Sequence, residues 1–167
     1  RVMELLDFEQ FDLKQDKQAY QIILKKQLDD FEAKGRMTKD EIDIVDINKI
    51  GEFLETELAD RMRNAQEENN LHREQPFVLG VSAKRLSSDF PSEETVLIQG
   101  IIDVYFLEGN DIILLDYKTD TVKEAKELIE RYQTQLVYYT EALERITGLK
   151  VKEKLIYSFA LKQVIAL

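Results

Sequence analysis

Residues Ile112-Ile113-Leu114-Leu115 form an unbroken apolar run that ends in Asp116-Tyr117-Lys118. Consecutive apolar residues on a pleated strand point to both faces, so the run predicts a central strand buried on both sides rather than an exposed edge. A carboxylate at the end of such a strand loses its hydration, and without a partner that loss costs several kcal/mol. Asp116 therefore needs a compensating positive charge. Lys118, two residues on and on the same face, is placed to supply one.

The segments around this run are legible from their periodicity. Residues 95–106 precede it as a second β-type stretch, and Leu107-Glu108-Gly109-Asn110 between the two is strong hairpin punctuation. Phe77-Val78-Leu79-Gly80-Val81, just after Pro76, predicts a third strand and completes a β-meander. Upstream the pattern is helical. Tyr20, Ile23, Leu24, Leu28 and Phe31 recur at helical spacing before Gly35, and Thr38-x-x-Glu41 has the form of a capping box. Ile50, Phe53, Leu54, Leu58 and Met62 predict one amphipathic helix running from about residue 47 into the polar stretch 64–70.

Downstream, Thr121-x-x-Glu124 opens and Gly148 closes a helix predicted over 122–146, and residues 151–167 read as one last strand. The order is helices, three strands, helix, strand. This predicts an α/β (α+β) chain forming a single domain over 1–167, with a helical part at 1–70 and a mixed α/β core at 71–167.

With 167 residues, 44% of them hydrophobic, such a chain can bury a sizeable core without disulfides or a structural metal. It has no cysteine, which excludes a disulfide framework, a thiolate zinc site and a cysteine nucleophile, and fits a cytoplasmic home. No apolar run approaches the roughly 20 residues of a bilayer span, which predicts a soluble protein with no membrane partner. The first residue is Arg1 rather than methionine, as expected of a piece of a longer polypeptide. The net charge of −10 argues against nucleic acid at face value. Its distribution weakens that objection: residues 1–117 hold 14 Lys+Arg against 26 Asp+Glu, whereas residues 118–167 hold 9 against 7.

The hairpin carries the chemistry. With Phe106 opposite Asp111, antiparallel pairing would set Asp103 opposite Leu114 and Ile101 opposite Asp116. Asp103, Asp116 and Lys118 would then share one face, with the two carboxylates diagonal neighbours roughly 7 Å apart at Cβ. Two aspartates at that spacing can lean onto one cation at metal–oxygen distances of about 2.1 Å for magnesium. A slip of one residue would remove the site. The plainer alternative is that Asp116 pairs with Lys118 at the strand end and Asp103 is solvated.

Gly100-Ile101-Ile102-Asp103, a hairpin, and then Asp116-Tyr117-Lys118 resemble the PD-(D/E)XK nuclease superfamily. The resemblance implies a restriction-endonuclease-like fold, a central mixed sheet flanked by helices with an N-terminal helical segment. It also implies Asp103 and Asp116 as ligands of Mg2+ (Mn2+ as substitute), the backbone carbonyl of Tyr117 as a further ligand, and Lys118 as the group that readies water and stabilises charge on the phosphate.

Gln135 and Tyr139 lie on one helical face and match the Gln-x-x-x-Tyr motif of the RecB-like branch. That match implies that Gln135 touches the lysine or the DNA backbone and that Tyr139 lies near the nucleic acid. Packing of Tyr132, Leu136, Tyr139, Leu143 and Ile146 as a core stripe is the alternative, and it does not exclude the first.

Within that branch the chain is similar to the C-terminal part of the AddA family of ATP-dependent helicase/nucleases. The match includes Thr38-x-x-Glu41, Arg73-Glu74-Gln75-Pro76-Phe77, Gln99-Gly100-Ile101-Ile102-Asp103 and Asp116-Tyr117-Lys118-Thr119-Asp120. It implies a DNA exonuclease that processes double-strand breaks for recombinational repair, a partner of the AddB type, and ATP use by parts outside these residues, which contain no phosphate loop. In that family a histidine just upstream of a segment like Arg1–Leu6 joins the metal site. Without it these residues are expected to bind metal weakly and cut poorly. His72 reads as a surface or loop residue. Glu74, at the start of the strand region, is a less remote substitute ligand, more simply paired with Arg73 or a neighbouring lysine. A noncatalytic module for partner docking or DNA guiding is the competing function, motivated by the acidic helices.

Overall fold

The computed structural model describes residues 1–11, 17–90 and 94–167. Helices α1 (Val2–Leu5), α2 (Lys17–Ala33), α3 (Lys39–Asp43), α4 (Ile47–Leu54) and α5 (Glu57–Glu67) come first. Strands β1 (Leu71–Ser82), β2 (Thr95–Glu108) and β3 (Asp111–Lys118) follow, then α6 (Ala125–Thr147), β4 (Lys150–Ser158) and β5 (Gln163–Ala166). The five strands form one mixed sheet in the order β1-β2-β3-β4-β5. All neighbours are antiparallel except β3 and β4, the parallel pair that α6 connects. This is the restriction-endonuclease-like arrangement that the sequence implied.

Several local signals act as read. Gly35 takes φ +66 and its N–H donates to Glu32 O at 2.9 Å, closing α2. The Thr38–Glu41 capping box opens α3, with Thr38 N donating to Glu41 Oε2 at 2.7 Å. Gly148 ends α6 with φ +73.

Other boundaries differ. The helix predicted from residue 47 is two helices, because Thr56 intervenes: its hydroxyl accepts from Ala59 N at 3.2 Å and donates to Phe53 O at 2.7 Å. The apolar spacing continues across that break, so periodicity alone conceals it. β1 begins at Leu71 rather than Phe77, and His72 lies in it, stacked on Tyr105 with ring centroids 4.5 Å apart. The run 151–167 is two strands, turned where Lys162 adopts φ +56 with no glycine to announce it. α6 begins at Ala125, where the Glu127 carboxylate accepts from Lys123 N and Glu124 N, so Thr121 opens nothing. Ile146 is 56% exposed and leaves the expected core stripe.

Two apolar cores sandwich the sheet. On one face Val104, Phe106, Ile113, Leu115, Leu155 and Tyr157 pack against the N-terminal helices around Phe53 and Met62. On the other Ile102, Tyr105, Ile112, Leu114 and Ile156 pack against Leu128, Leu136, Tyr139 and Leu143 of α6. The four apolar residues of β3 are all 0% exposed, as a strand covered on both faces requires. Gly100 is constrained by close approach: a Cβ there would lie 3.0 Å from the Phe77 ring, which stands edge-on to Tyr139.

The hairpin register is shifted by two residues from the expected one. Glu108 pairs with Asp111 across a two-residue turn in which Gly109 has φ +63, and Tyr105, not Asp103, lies opposite Leu114. The β2–β3 ladder runs only as far as Val104–Leu115, so the strands part at the next rung, where Asp103 and Asp116 would meet.

Strict alternation also fails here. Ile102 and Tyr105 both join the α6-side core, an odd separation that a regular strand does not allow. β1 makes the same change of face: Leu71 packs with the N-terminal helices, whereas Phe77, Leu79 and Val81 pack with α6. The changeover falls on the unpaired rung of Glu74 and Asp103, and Glu74 has φ +50.

Candidate active site

β3 delivers Asp116 and Lys118 to the α6 face, in step with Ile112 and Leu114. Asp116 is 1% exposed, and its Oδ2 lies 2.6 Å from Lys118 Nζ. The angles of this ion pair leave that oxygen without a well-formed hydrogen bond. Burial pushes the Asp116 carboxyl up to about 6, and the charge of Asp103 adds to the rise while Lys118 opposes it. The plainer sequence reading is right that Asp116 pairs with Lys118, yet the pair alone does not bring the acid back to its ordinary range.

Lys118 is the start of a polar chain across the sheet end. Its ammonium donates to Gln135 Oε1 at 3.1 Å, and Gln135 Nε2 donates to Tyr139 Oη at 2.7 Å. Tyr139 Oη in turn donates to the carbonyl of Ile101 at 2.9 Å. Gln135 thus touches the lysine, one of the two contacts that the motif implied. Tyr139 is 7% exposed and packs on Phe77, so it braces α6 against β2 from inside.

Asp103 does not lie flat on the α6 face beside Asp116. At the kink, in the gap between the parting strands, its Oδ2 accepts from Tyr117 N at 3.1 Å, and the residue opens into a cavity of about 630 Å3 between the N-terminal helices and the sheet. Glu4, Glu41, Asp46 and Glu74 line the same cavity, with Arg1 and Lys49 as its cations. Tyr117 is fixed on the helical side, its ring edge-on to Phe53 at 5.6 Å, and burial pushes its phenol up.

Glu74 makes no ion pair among the described residues. Its expected partner Arg73 turns away, donating to Glu4 O at 3.2 Å and to Gln66 Oε1 and covering the Phe8 ring. The Glu74 carboxyl is pushed up by partial burial first, then by the charges of Glu4 and Asp103.

Two residues that the motif reading did not single out complete the surroundings of Lys118. Its ammonium sits 3.8 Å from the centroid of the Tyr132 ring, and Tyr132 Oη donates to the Asp120 carboxylate at 2.9 Å. The signal was available: Tyr132 precedes Gln135 by three residues on one helical face, and Asp120 follows Lys118 by two.

The donors suit a hard divalent cation in kind, since one buried carboxylate oxygen of Asp116 lacks a proper donor and a second carboxylate adjoins it. In number they are incomplete: among the described residues no group of three or more His, Cys, Asp or Glu side chains is arranged to hold a metal ion. No helix of the described residues is long and apolar enough to cross a membrane.

Residues 6–165 match the PD-(D/E)XK nuclease superfamily. The chain is also similar to curated proteins whose name describes them as the A subunit of an ATP-dependent helicase/nuclease. The one from Clostridium kluyveri is 40% identical over 141 residues, covering 82% of this chain and 11% of the relative. Its counterpart from Thermoanaerobacter sp. is 42% identical over 141 residues, covering 81% and 11%. That of Lachnoclostridium phytofermentans is 33% identical over 196 residues, covering 96% and 14%. The chain thus spans only a small part of these relatives. The mixed sheet, the acid pair where β2 leaves β3, and the match over nearly all its length agree: the chain belongs to the PD-(D/E)XK nuclease superfamily.

Proposed function

We propose that residues 1–167 form one metal-dependent DNA nuclease domain, acting as an exonuclease within a longer helicase/nuclease that processes double-strand breaks for recombinational repair. The observation that carries this reading is the state of Lys118, held between a buried, poorly solvated Asp116 and Gln135 at the end of a central strand. A structural ion pair has no need of a buried acid whose proton affinity is raised.

Asp103 and Asp116 would hold Mg2+, or Mn2+ in its place, together with the carbonyl of Tyr117. Bound there, the cation would supply Lewis acidity to the phosphodiester and acidify a water molecule. Lys118 presents its ammonium where negative charge develops on the phosphate and orients the attacking water. Gln135 fixes that ammonium by accepting a hydrogen bond from it. Tyr139 ties α6 to β2 beside Asp103 and supports the site from inside, close to where the nucleic acid would lie. Glu74 lines the same cavity as Asp103 and is a further candidate oxygen donor.

The similarity to helicase/nucleases supports a DNA substrate, which this reading takes to be single strands from unwound duplex ends. Relatives that are named as one subunit of a complex support a second polypeptide of the AddB type as partner, and ATP use would belong to parts outside these residues. Work at broken chromosome ends would place the protein in the cytoplasm.

The carboxylates lining the cavity favour a second reading, a noncatalytic module whose acidic cleft takes a basic protein partner. Lys118→Ala separates the two. In the protein extended upstream to include the family's histidine, cleavage of single-stranded DNA with Mg2+ should fall by on the order of 100-fold or more while the variant keeps its fold. Cleavage by the variant at the parent's rate would refute the nuclease assignment.

A further inference from the structure

We propose that Tyr132 is the seat of Lys118, a positioning residue that, with Asp120 as its own anchor, selects where the ammonium is presented. The inference rests on the nuclease reading for its consequence but not for its geometry. A lysine side chain is long and flexible, and an ion pair with one carboxylate leaves it free to swing about that contact. Here three directions are taken up. Asp116 Oδ2 lies 2.6 Å from Nζ, Gln135 Oε1 accepts at 3.1 Å, and the face of the Tyr132 ring lies beneath at 3.8 Å from its centroid. A cation over an aromatic face is attracted by the ring quadrupole, and more so where water is excluded; the Lys118 side chain is only 12% exposed.

The ring is itself held. Tyr132 Oη donates to the Asp120 carboxylate, which Arg131 also grips at 2.6 Å, and these bonds hold the Asp120 carboxyl below its ordinary range. Asp120 lies two residues beyond Lys118. The same contact therefore fixes the aromatic platform on α6 and the segment that leaves β3. Tyr132, Gln135 and Tyr139 fall along one stripe of α6, so a single helical face sets both the ring below the amine and the amide beside it.

The test is Tyr132→Leu and Tyr132→Phe in the chain with its lysines isotopically labelled. Protons beside an aromatic face are shifted upfield, so the Lys118 ε-methylene resonance, assigned by its loss in Lys118→Ala, should lie upfield of the other lysines. It should move fully downfield in Tyr132→Leu and only part of the way in Tyr132→Phe, which keeps the ring and loses its anchor on Asp120. On single-stranded DNA with Mg2+, in the protein extended upstream to include the family's histidine, kcat should drop roughly 10-fold or more in Tyr132→Leu with KM little changed, and recover in part in Tyr132→Phe, which keeps the ring but not its bond to Asp120. An unshifted Lys118 resonance in the parent, or a Tyr132→Leu variant that moves the resonance yet keeps the parent's kcat, would overturn the assignment. Failure of the nuclease reading shows differently: Lys118→Ala would then cut at the parent's rate while the resonance still reported the ring.

Discussion

The two faces of the sheet are built on different principles. Away from the acidic cavity, the sheet presents to the N-terminal helices a dry cluster in which Phe53 is fully buried and meets the rings of Phe8, Tyr117, Tyr157 and Phe159 edge-on or tilted. Toward α6 the core is equally apolar near the start of β3, but at its end gives way to Asp116, Lys118, Gln135 and Tyr139. The first face gains stability from area removed from water. The second spends some of it to keep a charged acid and an amine where hydration is poor. The sheet thus concentrates its unfavourable electrostatics where β2 and β3 part.

Cutting into the dry face tests this contrast most severely. Phe53→Ala removes the ring around which four others pack and should lower stability by about 3–5 kcal/mol, measured by urea unfolding. A loss below about 1 kcal/mol would show that the helical layer is not held by this cluster.

At the polar end the sign reverses. The folded Asp116 carboxyl lies near 6, above its unfolded value of 3.8, so the protonated acid favours the fold at low pH. That contribution is whole below about pH 4 and is lost as pH rises through about 6. Without divalent metal, Asp116→Asn should therefore be more stable than the parent at pH 8, by about 1–3 kcal/mol, and should show a flatter dependence of stability between pH 4 and 7. Destabilisation at pH 8 would mean that the Lys118 ion pair outweighs the burial of its partner.

The same contrast explains what could be read from the sequence. The apolar run of β3 announced a doubly covered strand, and Asp116-x-Lys118 together with Gln135-x-x-x-Tyr139 placed an acid, an amine and an amide that the structure does bring into contact. These are regular elements whose side chains follow fixed periods. The irregular features were hidden. Treating Leu107–Asn110 as the whole connection put the hairpin two residues out of register, because the turn uses only Gly109 and Asn110. The change of face at Glu74 and Asp103 has no period to betray it, and the left-handed backbone of Glu74 occurs at a residue type that gives no warning. The sequence reading accordingly sets Asp103 on one face with Asp116 and Lys118, whereas it stands in the gap and opens toward the helical side.

The central claim is that Asp103 and Asp116 join on one cation across that gap. Thermal unfolding with and without Mn2+ at pH 8 measures it directly, in the parent and in Asp103→Asn and Asp116→Asn. At about 100-fold excess over its dissociation constant, Mn2+ should raise the parent's melting temperature by roughly 5–10 °C and leave both variants nearly unmoved. An unshifted parent at millimolar Mn2+, or variants that shift as far as the parent, would contradict the account.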